Sequence, residues 1–203
     1  MTLTRQILGH YEEQSSDQRE YLTLAFSPLS APLRSRWRNN GLSADFLGDY
    51  VVTFLPKEGD LSITTSRQHE LRHSVAYVAN ELLENAMKYH AQKGKIPISI
   101  HLELTDEHIS VSASNGVDAD QAERYKAFVE YLLDGDPGDL LIQRLEEGAR
   151  EGHPNDSGLG LLTMINDYGA QLGWCFAANA SQSDVATVTT RAVLAPQMLR
   201  SRS

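Results

Sequence analysis

The 203-residue chain is 41% hydrophobic, enough for one globular core, and its formal charge of −9 argues against nucleic-acid binding, which needs a concentrated positive surface. One cysteine, Cys175, excludes an internal disulfide framework and fits a reducing compartment. No apolar run approaches the ~18 residues of a membrane span, and Met1 is not followed by a basic-then-apolar leader, so a soluble, cytoplasmic protein without a membrane segment is expected.

In chain order, the first residues are polar and mixed, with a loose helix over Gln6 to Glu20. Tyr21 to Phe26 alternates as a strand, and Ser27 to Pro32 breaks it. Leu33 to Asn39 reads as helical, with Arg34, Arg36 and Arg38 crowded near Trp37; a solvated basic helix end is the bland account of that cluster. Ser43 is a plausible N-cap for a helix striped by Phe46, Leu47, Tyr50, Val51, Phe54 and Leu55. Residues 1–60 thus form an N-terminal extension of one strand and two helices, packed on or docking beside the core that follows.

A helix runs from about Arg67 to Tyr89. Val75, Val78, Ala79, Leu82, Leu83, Ala86 and Met87 make its apolar stripe. Glu81, Asn85 and Lys88 stack along another face, since positions four and three apart are neighbours on a helix. Taken alone, that row is the solvated edge of an amphipathic helix; beside a phosphate site it is a base, a metal ligand and a cation. Ile96 to Leu104 and His108 to Ala113 alternate as an antiparallel pair. Ala119 to Leu133 and Leu140 to Arg150 are helical. Ser157 to Tyr168 is a helix entered through Ser157-Gly158-Leu159-Gly160-Leu161. Glycines let backbone approach a ligand, and the unpaired N–H groups of a helix start attract anions. Leu172 to Ala178 and Val185 to Leu194 close the sheet, and 196–203 is expected to be a disordered tail. His69 and His73 stand four apart on the long helix, but no third ligand accompanies them.

Glu81-Leu82-Leu83-Glu84-Asn85-Ala86-Met87-Lys88 and the later Ser157-Gly158-Leu159-Gly160-Leu161 together resemble the N box and second glycine box of the GHKL ATP-binding superfamily. Glutamate at the first position and asparagine four later resembles the anti-sigma-factor serine/threonine kinases and SiaB-like regulators. The resemblance implies a Bergerat-type α/β (α+β) two-layer sandwich over residues 61–195. Its sheet would be mixed and mainly antiparallel, with helices on one face and a lid at about 117–157. It implies ATP and Mg²⁺ as cofactors, Glu81 as general base, Asn85 as the Mg²⁺ ligand, Lys88 beside the phosphate chain, and the amides of Ser157 to Leu161 around the phosphates. It also implies a small STAS-type or SiaC-like regulatory protein as partner, and a homodimer.

The first glycine box departs from the pattern. Where Asp-X-Gly-X-Gly is usual, the chain has Ser114-Asn115-Gly116-Val117-Asp118, so Ser114 aligns with the adenine-binding aspartate. A hydrogen bond to a charged group contributes about 1.5–3 kcal/mol and a neutral one about 0.5–1.5. The exchange would weaken adenine binding roughly tenfold. Two functions follow. One is a regulatory kinase that transfers the γ-phosphoryl group to Ser/Thr of its partner. The other is a pseudokinase that sequesters a signalling partner without nucleotide turnover.

Overall fold

Six described strands with alternating side chains form one open sheet. They are β1 (Gln6–Gly9), β2 (Glu20–Phe26), β3 (Ile98–Leu104), β4 (Ile109–Asp118), β5 (Gln171–Ala178) and β6 (Val185–Leu194). The computed structural model describes residues 5–13, 20–27, 37–55, 61–91, 96–151, 158–178 and 185–194. The spatial order is β1-β5-β6-β4-β3-β2, and every pairing is antiparallel. One face carries Ile98, Ile100, Leu102, Val111, Ala113, Trp174, Phe176 and Val188, all buried.

The five described helices are α1 (Trp37–Val52), α2 (Leu61–Lys88), α3 (Ala119–Asp134), α4 (Pro137–Glu151) and α5 (Leu159–Asn166). The stripe of α2 packs against β3 and β4, α3 packs against β4 and β6, α1 packs along α2, and α4 along α5. The fold is therefore an α+β two-layer sandwich. The extension is continuous with it, since β2 pairs with β3 over its whole length.

Several expected elements differ in detail. Residues 6–9 are a strand rather than part of a loose helix, because Ile7 and Leu8 alternate and pair with Cys175 and Trp174. Gly9, at φ 66°, then turns the chain off the edge. The helix credited to a Ser43 cap begins at Trp37, so Ser43 lies inside it. Its buried face includes Ala44, Leu47 and Val51, and Leu55 just past its end is buried too, whereas Phe46 and Phe54 are exposed. The long helix starts at Leu61, and β4 continues to Asp118 because Asn115 to Asp118 pair with Val188 to Val185. Arg34, Arg36 and the tail at 196–203 lie outside the described residues, as does the side chain of Arg38.

After β1 the chain crosses the sheet's other face. A side chain at Gly173 would strike the backbone of His10 and Tyr11, so these residues lie directly over β5. Arg191 of β6 then donates to the carbonyl of Glu12 at 2.8 Å. Beneath this strap, Arg191 pairs with Glu103 at 3.4 Å and donates to Ser110 at 3.2 Å. Ser110 in turn donates to Glu103 at 3.2 Å. Glu103 and Arg191 are both buried.

Two buried histidines couple stability to pH. Burial pulls His90 below its ordinary value of 6.5, against the opposing pull of Asp118. Burial likewise lowers His101, against Glu103. A base whose folded pKa is depressed prefers to take its proton in the unfolded chain. Its contribution is therefore complete above pH 6.5 and is lost as pH falls through the folded value. Thermal melts should show stability falling as pH drops below 6.5, and His90→Leu should flatten part of that slope.

Candidate functional site

The site is built where α2 passes the start of α5. Gly158 sits at φ 95° and caps α5; its carbonyl accepts the first helical bond from Leu162 at 3.1 Å. The cap residue, a glycine, has no side chain of its own to bond the helix start. The early N–H groups of an α-helix have no partner within the helix, so those of Leu159, Gly160 and Leu161 form a positive end.

Glu81 faces that end. A Cβ built on Gly160 would collide with the Glu81 carboxylate, with its Cδ only 2.8 Å away. Glycine at 160 is thus the residue that lets this carboxylate lie on the first turn of α5. Tyr77 and Tyr168, stacked with ring centres 4.6 Å apart, flank it. Burial raises the pKa of both phenols, and the Glu81 charge adds to the rise.

Asn85, one turn further along α2, lines a cavity of about 250 Å³ with Gly158 and Leu161. The remaining wall comes from Tyr89, Val117 and, on α3, Gln121, Arg124, Tyr125 and Phe128. These α3 residues fall at three- and four-residue steps, so they share one face. That spacing is the sequence signal that could have found them. The Gln121 side-chain oxygen is buried without a hydrogen-bond partner. Tyr125 accepts a bond from Trp174 Nε1 at 3.0 Å, which fixes it in the wall. Phe128 lies on Gly158, where any Cβ would meet its ring. Arg144 of α4 stacks over Phe128 at 5.7 Å.

The other expected residues separate. Ser114 does not reach the cavity. Its register opposite Thr189 places it on the far face of the sheet, where the two hydroxyls bond at 2.7 Å. Asn115, the next residue, turns toward the helices and lies beside Asn85, with its amide on the Gly116 carbonyl at 3.3 Å. Gly116 leaves room for Ile96 Cδ1, 3.1 Å from a built Cβ, and accepts from the Ala91 N–H at 2.8 Å. Its glycine is explained by packing. Lys88 is exposed, with Nζ 5.4 Å from the Tyr89 ring centre. Leu159 is half-buried at the helix start, and Ser157 lies outside the described residues.

Gly158→Ala should cost about 1–3 kcal/mol in a denaturant melt, since it forces a side chain into positive φ. It must also displace Phe128 from its seat.

No helix among the described residues is long and apolar enough to cross a membrane. No protein-family model matches the chain, and no curated protein matches it. Among solved structures the chain is similar to the crystal structure of the SiaB–SiaC complex from Pseudomonas aeruginosa. The similarity has a TM-score of 0.54 and 19% identity, and covers 85% of this chain and 89% of that chain. The likeness supports a SiaB-like fold.

Proposed function

We propose that the protein is a regulatory ATP-binding protein of the anti-sigma/SiaB-like kinase type. It transfers the γ-phosphoryl group of ATP to a serine or threonine of a small STAS-type or SiaC-like partner, in a partner-switching circuit. The observation that carries this reading is the Glu81 carboxylate lying on Gly160 in the first turn of α5, one turn from an asparagine that shares a cavity with Gly158.

The residues fit the role as follows. The amides of Gly158 to Leu161 hold phosphate oxygens, Asn85 supplies a Mg²⁺ ligand, and Glu81 takes the proton of the attacking hydroxyl. Arg124, which lines the cavity, brings the positive charge that outward-facing Lys88 does not. The orphaned Gln121 oxygen would be the acceptor available to an exocyclic amine of the base, a task that Ser114, bonded to Thr189 on the other face, cannot reach. Bound Mg·ATP supplies the transferable group, and positioning and charge neutralisation supply most of the rate. The cavity's 250 Å³ is just below the usual ligand range of about 300–1,000 Å³. A nucleotide therefore enters only as Phe128 leaves Gly158.

The second reading is a pseudokinase that binds and sequesters the same class of partner. It is favoured by Phe128, whose ring sits against Gly158 and with Tyr125 narrows the cavity beside the glycine turn. Isothermal titration with Mg·ATP separates the two. Micromolar binding followed by transfer to a co-purified partner supports the kinase. Millimolar or absent binding, with the partner still retained, supports the pseudokinase.

A further inference from the structure

The larger cavity lies on the sheet face opposite the glycine turn. It is about 930 Å³, floored by β2, β3, β4 and β6 and walled on one side by the strap of residues 11–13. We propose that it is a binding site for a small, uncharged, polyhydroxylated molecule of the monosaccharide or cyclitol type. The site does not depend on the kinase reading.

Three observations carry it. The floor bears five hydroxyls, those of Thr23, Ser99, Ser112, Ser114 and Thr189. Hydroxyls both donate and accept, so they match a ligand whose own groups do both. Second, His101 sits among them with an unfinished hydrogen-bond set. Its Nδ1 is tied to Thr23 Oγ1 at 2.7 Å, while Nε2 is buried without a partner. The residue is 9% exposed, and an unpaired buried polar atom is costly unless something supplies a partner. Tyr21 lies over the His101 ring at 5.9 Å and 30°, with 61% of its surface exposed, so its electron-rich face is offered to the C–H edge of a sugar ring.

The charges exclude an anion. The lining holds two guanidinium groups, Arg5 and Arg191, against three carboxylates, Glu12, Glu13 and Glu103. Arg191 pairs with Glu103, and Arg5 with Glu13. Neither cation is left over for a phosphate.

The test follows the imidazole signals of the full chain by NMR while D-glucose, myo-inositol or sodium phosphate is added. His90, at the end of α2, is the internal reference. A saturable shift of His101 with glucose or inositol, with His90 still and phosphate inert, is the expected result. Ser112→Ala and the exposed rim change Tyr21→Ala should each raise the half-saturating concentration about three- to tenfold, the equivalent of one neutral contact. No His101 shift with either sugar up to about 100 mM, two decades above a 1 mM dissociation constant, overturns the proposal. A shift with phosphate alone overturns it too, as does a sugar response that both variants leave unchanged.

Discussion

Glu81→Gln is expected to leave Mg·ATP binding within about twofold and to cut phosphoryl transfer by about 10²–10⁴-fold, the usual contribution of a general base. The amide keeps the size and planarity of the carboxylate but cannot take a proton at neutral pH. The measurement is titration calorimetry beside a transfer assay on the partner. Normal transfer by the variant would remove Glu81 from the chemistry. Gly160→Ala makes the companion experiment. Its methyl would occupy the place of the Glu81 carboxylate, and that carboxylate is the far end of a flexible side chain. The residue rotates away, so transfer should fall as in Glu81→Gln while stability shifts by no more than about 1 kcal/mol, the ordinary helix gain of alanine over glycine.

Glu103→Ala should be the most destabilising change on the open face. It strands the Arg191 guanidinium, 4% exposed, without its carboxylate and strips Ser110 of its acceptor. Breaking a buried pair from one side costs about 3–5 kcal/mol, and a chain of this length loses roughly 6–20 °C in melting temperature for that amount. The joint replacement Glu103→Leu with Arg191→Met removes both charges at similar volume and should recover most of the loss. If the single and double variants melt together, the loss in Glu103→Ala does not come from stranding the Arg191 charge.

How much of this is legible in the sequence depends on the range of the signal. The α2 stripe and the glycine turn are local patterns, and each names its own element. Their meeting is legible only through the resemblance, because nothing in the spacing of Glu81 and Gly160 says that they touch. Ser114 shows why alignment by motif fails at a strand. Side chains alternate across a sheet, so a one-residue difference in register sends the intended residue to the other face. Gln121 reads as a solvated helix position, and only its burial reveals an unused acceptor. β1 is four residues long, too short for alternation to stand out from the polar sequence around it.

The placement of β1 has a consequence for the chain as it is made. Ile7 lies opposite Cys175, so β1, which leaves the ribosome well before β5, cannot dock until β5 has followed it out. At about 5–20 residues per second, a sequence separation of 168 residues imposes a wait of roughly 8–34 s. Throughout that interval its backbone donors and acceptors bond water instead of β5, and Leu8 has no Trp174 beside it. Its brevity and the adjoining Arg5 then act as protection, because a short, charged strand is a poor template for pairing with a neighbouring nascent chain.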